Sequence, residues 1–85
     1  MSDDAMLQKL TEVFRSVFGD PTLVLRTDMV ALDIPRWDSL NNVKLILACE
    51  RAFGIRMRAR DINGLENIGA FINHLRERQK AAAAR

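Results

Sequence analysis

The chain has few of the residues that build covalent or metal-bound frameworks. Among its 85 residues there are one cysteine, one histidine and no tyrosine. A lone cysteine, Cys49, cannot form an internal disulfide, and without a group of Cys and His residues we expect no metal site. We interpret Cys49 as a small buried apolar residue rather than a nucleophile, because no histidine lies near it in the sequence.

Long apolar runs are also missing. No segment approaches the roughly 18–20 apolar residues that cross a bilayer. The start is acidic at Asp3 and Asp4, unlike the basic start of a signal peptide. We therefore expect a cytoplasmic protein that does not insert into membranes. The net charge is only +2, yet basic residues cluster in the second half of the chain. These are Arg51, Arg56, Arg58 and Arg60.

Length and pattern indicate a single all-α domain. A chain of 85 residues is near the lower limit for one unaided core. Near the start, apolar residues recur at spacings of three and four and predict a first helix. They are Leu7, Leu10, Val13, Phe14, Val17 and Phe18. We expect Asp3 or Asp4 to cap this helix and Gly19 to end it.

Residues 20–37 show no sustained period and predict a long loop. A loop of this length is uncommon in a compact domain unless it packs or has a function. We therefore expect its apolar residues to pack across the helices, with a short turn near 27–29. They are Leu23, Val24, Leu25, Met29, Val30, Leu32 and Ile34. Pro35 disfavours a helical conformation at the residue before it, so the approach to Trp37 should be non-helical.

The second helix is predicted to follow Asp38 as N-cap and to end near Arg51 or Phe53. It carries two apolar stripes. We assign the first to the core: Leu45, Ile46, Cys49 and Phe53. The second stripe runs beside charged residues and is expected to stay partly exposed as a partner surface. It comprises Leu40, Val43 and Leu47. The alternative is that the long loop covers both stripes.

A short extended link over residues 55–58 and two more helices complete the prediction. A brief helix should span residues 59–63, with Ile62 inward. The last helix should be capped by Asn67 and bury one face: Ile68, Phe71, Ile72 and Leu75. Gly69 inside it costs up to ~1 kcal/mol relative to alanine. We expect His74 to be exposed. The domain core should span about residues 4–79, and residues 80–85, with their alanine run, should fray.

One motif and its spacing resemble a known family. Asp38-Ser39-Leu40 opens the second helix, and Val43 and Leu45-Ile46 follow it. Phe53-Gly54-Ile55 comes after one helix length, and Asn67-Ile68-Gly69 opens the last helix. A lone Asp-Ser-Leu is common by chance. This arrangement, which covers roughly Leu7 to Leu75, resembles the acyl carrier proteins of the phosphopantetheine-binding family.

The resemblance implies a bundle of three main helices plus one short helix, with a long loop between helices one and two. It implies that a phosphopantetheinyl transferase, using coenzyme A and magnesium, attaches 4′-phosphopantetheine to Ser39, with Asp38 as the motif acid. The protein would be a monomeric carrier and not an enzyme. It would hold acyl intermediates as thioesters and present them to acyl-loading and acyl-transferring enzymes of fatty-acid, polyketide or other specialised biosynthesis.

The chemistry of Ser39 agrees with this role. A hydroxyl in the first turn of a helix is exposed, and a phosphodiester there would lie at the positive end of the helix dipole. Ser2, near the terminus, and Ser16, inside the first helix, fit less well. The alternative is that Ser39 only shares helix capping with Asp38.

Two departures from the family pattern affect the expected partners. Pro35-Arg36-Trp37 stands where many members have a glycine-containing loop, and Trp-Asp-Ser-Leu resembles stand-alone carriers of specialised pathways. The second helix is strongly acidic in typical carriers but not here. The expected partner surface is Leu40, Asn41, Val43, Lys44, Leu47, Glu50 and Arg51. Because charge complementarity sets partner choice, we expect the usual fatty-acid synthase partners to recognise this surface poorly. We expect its partners instead to make apolar contacts with this surface or to present acidic residues to the arginines.

Two other functions stay open at this point. A carrier of aminoacyl or peptidyl groups would share the same motif, because the loading enzyme chooses the cargo. A small basic nucleic-acid-binding module would use Arg56, Arg58 and Arg60 and would lose affinity steeply with salt. No aromatic residues are interleaved with these arginines, and no known motif places them in a groove. We therefore expect no nucleic-acid partner.

Overall fold

Four helices form a bundle in the computed structural model of the chain, which describes residues 2–83. The helices are α1 (Asp3–Phe18), α2 (Ser39–Phe53), α3 (Ala59–Asn63) and α4 (Ile68–Ala83), and a 3-10 turn (Ala31–Asp33) lies between α1 and α2. No strand occurs within the described residues. The predicted bundle of three main helices and one short helix is confirmed, and the bounds of α2 and α3 agree with those predicted.

The ends of α1 follow from local hydrogen bonds. Ser2 is its N-cap, and the Ser2 Oγ accepts a hydrogen bond from the Ala5 amide at 3.2 Å. The prediction that Asp3 or Asp4 caps this helix is therefore wrong. Both acids lie in the first helical turn, where their charge faces the positive end of the helix dipole. Gly19 ends the helix as predicted, at a left-handed φ of 64°.

The core takes one face from each main helix. The predicted core residues of α2 and α4 are all buried, and Ile62 of α3 points inward as predicted. In α1 the predicted stripe is only partly correct, because Leu7 and Val17 are half-buried while Met6, outside that stripe, is buried. The side chains with almost no exposure are Phe14, Phe71, Met6, Leu10, Leu45, Ile68, Leu75 and Cys49.

The long loop packs only part of its apolar residues. Leu25, Met29 and Ile34 are buried, and the predicted turn occupies residues 27 and 28. The prediction is wrong for the exposed residues, which are Val24, Val30 and Leu32. The 3-10 turn explains the largest error. Asp33 Oδ2 accepts a hydrogen bond from the Val30 amide at 3.0 Å and holds the turn, while the turn's Leu32 is 97% exposed.

The loop is tied to the start of α4 by its backbone. The amides of Ile68 and Gly69 donate to the carbonyls of Met29 and Thr27, each at 2.9 Å. Asn67 caps the helix as predicted, since its Oδ1 accepts the Ala70 amide at 2.8 Å. A Cβ atom at position 69 would lie 3.3 Å from the Thr27 carbonyl oxygen. Glycine at this position therefore permits the close approach of the loop.

The last helix differs from its prediction in one side chain. The His74 side chain is only 21% exposed, and its Nε2 lies 3.9 Å from Asp61 Oδ2. The expectation that His74 is exposed is wrong, because α3 lies beside it. Residues 80–83 are helical and exposed, whereas residues 84 and 85 of the predicted frayed tail lie outside the described residues. Fraying and the domain limits stay predictions. Within residues 2–83, no helix combines the length and apolar character needed to cross a membrane.

Candidate attachment site

The chain approaches Ser39 through a left-handed residue. Arg36 has a φ of 69°, a region that residues other than glycine rarely adopt. Its carbonyl accepts hydrogen bonds from the Asp38 amide at 2.9 Å and from Asn41 Nδ2 at 2.7 Å. Its guanidinium donates to the Phe18 carbonyl at 3.3 Å. Hydrogen bonds from both ends of Arg36 thus hold the conformation that a glycine would adopt without strain.

Trp37 fixes the same loop to the core. Its ring meets Phe14 edge-on, with centroids 5.4 Å apart, and lies 5.9 Å from the ring of Phe18. Its Nε1 donates a hydrogen bond to Asn42 Oδ1 at 3.0 Å. The residue before Asp38 is therefore anchored to both α1 and α2. In the sequence Trp37 stood out only as part of a motif, and no signal indicated a role for Asn42.

Asp38 caps α2 as predicted and leaves Ser39 at its first position. Asp38 Oδ1 accepts the Asn41 amide at 2.8 Å, and the Asp38 carbonyl accepts the Asn42 amide at 2.9 Å. Within residues 2–83, the amides of Ser39 and Leu40 donate a hydrogen bond to no acceptor. Ser39 is exposed. Its hydroxyl thus stands in solvent beside two unpaired amides at the positive end of the helix dipole.

These features fit an attached phosphate ester. Backbone amides at a helix start favour a negative charge without requiring a buried pocket. The Asp38 carboxylate already accepts the Asn41 amide and so is held in the cap. The described residues contain no group of three or more His, Cys, Asp or Glu that could hold a metal ion.

Removal of the Asp38 cap is expected to weaken the start of α2. We predict that Asp38→Ala lowers the free energy of unfolding by about 1 kcal/mol, because the Asn41 amide loses its acceptor. Urea unfolding measures this change. Asp38→Asn is the matched control, since its side-chain oxygen still caps the helix, and it should stay close to wild type. Equal stability of the alanine variant and the wild type would show that this cap contributes nothing.

Some residues of the predicted partner surface are exposed, and others make hydrogen bonds within the chain. Leu40, Val43 and Leu47 are 65%, 53% and 53% exposed, so the alternative in which the long loop covers this stripe is wrong. Lys44 and Arg51 are also exposed. Two polar members of the predicted surface instead make internal hydrogen bonds. Asn41 Nδ2 donates to Arg36, and Glu50 Oε2 accepts the Met57 amide at 3.2 Å.

A cleft of about 190 Å³ lies beside the site. Trp37 and Asn42, which flank Ser39 in the sequence, form part of its wall together with Ile62, Leu65 and Phe71. The cleft therefore lies between the start of α2 and the helices α3 and α4. No local sequence pattern indicates this cleft, because it forms only where the long loop, α2, α3 and α4 come together.

The thiol of Cys49 is isolated from this site. The residue has 0% exposure, and burial raises the pKa of its thiol from an ordinary 9.0 to about 12. Its interpretation as a buried apolar residue is confirmed. The reactive thiolate is therefore disfavoured in the folded chain, so a thiol carried on an arm would have no competitor in the described residues.

This burial predicts a pH dependence of stability. The pKa of Cys49 is higher in the folded state than in the unfolded state, so its contribution is fully present below about pH 9 and is lost as pH rises toward 12. Urea unfolding at pH 8 and pH 10.5 should show this decrease, and Cys49→Ala should reduce the pH slope. Rapid alkylation of the folded wild type by iodoacetamide at pH 8 would contradict the burial of the thiol.

Comparison with known proteins identifies the family. The family described as "phosphopantetheine attachment site" matches residues 8–75. The solution NMR structure of a holo acyl carrier protein from Geobacter metallireducens has a TM-score of 0.82 to this chain, with 30% sequence identity. The alignment covers 94% of this chain and 92% of the other. The chain belongs to the acyl carrier protein family.

A further relative agrees. An acyl carrier protein from Acidothermus cellulolyticus is 27% identical over 75 residues, which cover 88% of this chain and 89% of that protein. Members of this family are carriers and not enzymes, and they hold a covalently attached 4′-phosphopantetheine. A phosphopantetheinyl transferase and acyl-handling enzymes act on them. The predicted family, carrier function and cofactor are therefore confirmed. The attachment residue, the pathway and the individual partners stay predictions.

Proposed function

We propose that Ser39 bears the 4′-phosphopantetheine arm and that this acyl carrier protein presents acyl thioesters from that position. One observation carries the proposal: an exposed serine hydroxyl at the first residue of α2, directly after the Asp38 cap. The rigid helix behind it and the anchored loop before it fix the attachment point in space. The arm itself stays free to move.

The other serines of the chain are poorer candidates. Ser2 Oγ already accepts the Ala5 amide and caps α1. Ser16 lies in the last turns of α1, near the negative end of its helix dipole, where an added phosphate is unfavourable. Among these three, Ser39 alone combines an exposed side chain, a place at the start of a helix and a hydroxyl that caps no backbone amide.

The residues around Ser39 then have separable roles. Asp38 and Asn41 shape the first turn, and Trp37 holds the loop against α1. The bound arm supplies the terminal thiol that forms the thioester. Cys49 stays protonated in the core, because burial raises its pKa to about 12, and so does not accept the acyl group in its place.

The finer identity of the cargo also belongs to this proposal. The Trp-Asp-Ser-Leu motif supports a stand-alone carrier of specialised biosynthesis, in which acyl intermediates of fatty-acid or polyketide type are the cargo. We propose that the protein acts as a cytoplasmic monomer. An aminoacyl or peptidyl cargo is the alternative, and mass spectrometry of protein recovered from its native host distinguishes the two.

Loading and peptide mapping test the attachment residue. The purified chain, incubated with coenzyme A, magnesium and a broad-specificity phosphopantetheinyl transferase, should gain the mass of one phosphopantetheine group. Proteolysis and fragment sequencing should locate that mass on Ser39. Transfer to Ser2 or Ser16, or no mass gain by folded protein, would overturn the proposal.

A further inference from the structure

The exposed face of α2 has an ordered pattern of apolar and basic residues. Leu40, Val43 and Leu47 are spaced by three and four residues, so they share one face of the helix, and each is more than half exposed. Lys44 and Arg51 are seven residues apart and therefore lie on one flank of this strip. Both are exposed. Together the five residues form a strip with an apolar centre and a basic edge.

No carboxylate within residues 2–83 pairs with this basic edge within 4 Å. Glu50 is the one acidic residue of α2, and it is half-buried with its Oε2 on the Met57 amide. Among residues 2–83, the ion pairs within 4 Å join Arg26 to Asp28 and Arg76 to Asp3, and His74 Nε2 lies 3.9 Å from Asp61 Oδ2. Five exposed cations near α2 therefore have no carboxylate partner. They are Lys44, Arg51, Arg56, Arg58 and Arg60.

The link after α2 extends this basic edge in a fixed direction. Ile55 and Met57 are buried while Arg56 and Arg58 are exposed, as expected for an extended segment with one face on the core. The Arg56 carbonyl accepts a hydrogen bond from Arg78 Nε at 2.9 Å, which ties the link to α4. The arginines are thus displayed from an anchored backbone that continues directly from the end of α2.

An occupant of this surface must match both of its parts. Uncompensated cations attract carboxylates or phosphates and repel a basic surface. Phosphates alone would leave the leucine and valine side chains exposed, whereas a protein surface can cover them and supply carboxylates at the edge. Ser39 lies at one end of the strip and Arg51 about 18 Å along the helix from it. A partner bound along α2 would therefore hold its active site near the arm.

We propose that α2 docks on partner enzymes through a surface with an apolar centre and a carboxylate-rich rim, the carboxylates facing Lys44, Arg51 and Arg56. This inference rests on the proposed attachment at Ser39, because the strip is useful to a carrier only if the arm lies at its end. It assigns a charge sign to the partners, and that sign decides which acyl-handling enzymes can bind.

Cross-linking from the arm tests the charge of the preferred partner. The probes are two synthetic amphipathic helices with the same leucine face, one flanked by glutamates and one by lysines, each carrying a chloroacetyl group. In the loaded protein the arm thiolate displaces chloride and forms a thioether, so the initial rate reports docking beside Ser39. At about 20 mM salt the glutamate helix should react roughly tenfold faster. At about 0.5 M salt the two rates should converge.

Matched variants separate local docking from net charge. Lys44→Glu combined with Arg51→Glu should reverse the preference. Arg26→Glu, an exposed loop variant with the same charge change as Arg51→Glu alone, should keep the wild-type preference within about twofold. A preference for the lysine helix, equal rates for both helices, or an equal loss in Arg26→Glu and Arg51→Glu would overturn the inference. Strong inhibition by duplex DNA would assign the basic edge to nucleic acid and overturn it as well.

The same experiment keeps the two proposals distinguishable. Intact mass is measured before cross-linking, and absence of the phosphopantetheine mass counts against attachment at Ser39. If the mass is present but the helices react equally, attachment stands and only the docking inference fails. Cys49 does not obscure the readout, because its thiol is buried and its pKa is raised to about 12.

Discussion

Ser39→Ala is expected to abolish loading by the transferase while leaving the fold intact. The variant has no hydroxyl at the start of α2, so no phosphodiester can form there, and intact mass should show no added phosphopantetheine group. The free energy of unfolding should change by less than about 0.5 kcal/mol, because Ser39 is exposed and accepts none of the cap hydrogen bonds. Loading and stability are thereby separated in one variant.

Ser16→Ala is the matched control for this variant. It removes the same hydroxyl from another exposed helical serine and should load as fast as wild type. Residual loading of Ser39→Ala would show that a second residue accepts the arm. If Ser39→Ala instead lowered the melting temperature by more than a few degrees, Ser39 would have a structural role that its contacts do not show.

Local signals explain why α2 could be predicted closely. Asp38 as cap, the spacing of Leu45, Ile46 and Cys49, and Gly54 as terminator all lie within or beside the helix that they define. The structure agrees with each of them, including the left-handed φ of 63° at Gly54. The short helix α3 was also predictable, because the extended link before it and Gly64 after it leave little freedom for its bounds.

Features that depend on distant contacts were not predictable in this way. The loop of residues 20–37 has no period, so the sequence could not tell buried Leu25 from exposed Leu32. The close approach of Thr27 explains Gly69, and the approach of α3 explains the burial of His74. In each case a second segment decides the outcome, and its position is not encoded near the residue concerned.

The candidate site shows the same division. Ser39 and its cap follow from the motif and the start of the helix. The strained Arg36 and the hydrogen bond between Trp37 and Asn42 appear only once α1, the loop and α2 are packed together. The charge pattern beside the site could be predicted from the sequence, but the hydrogen bond from the Met57 amide to the Glu50 carboxylate could not. That contact occupies one carboxylate oxygen of the half-buried Glu50, the one acid of α2, and so strengthens the expected preference for acidic partners.

Phe14→Ala is expected to be the most destabilising single substitution considered. Phe14 has 0% exposure. Its ring centroid lies 5.4 Å from both Phe18 and Trp37 and 6.0 Å from Phe71, so one side chain joins α1, the loop before Ser39 and α4. Loss of a buried phenylalanine costs about 3–5 kcal/mol. A domain of this size has roughly 4–13 kcal/mol of total stability, so the variant should lose about a quarter of it or more.

Urea unfolding followed by the fluorescence of the single tryptophan, Trp37, measures this loss directly at the loop that leads to Ser39. Leu32→Ala is the control, because a side chain that is 97% exposed should contribute less than about 0.5 kcal/mol. The loss of unfolding free energy for Phe14→Leu should fall between those of Leu32→Ala and Phe14→Ala.

The expected decrease in melting temperature for Phe14→Ala is roughly 12–40 °C. The remaining folded fraction should also load more slowly, since Trp37 loses its edge-on partner and the turn before Ser39 loses its support. A Phe14→Ala variant as stable as Leu32→Ala would mean that the loop before Ser39 does not depend on this aromatic cluster.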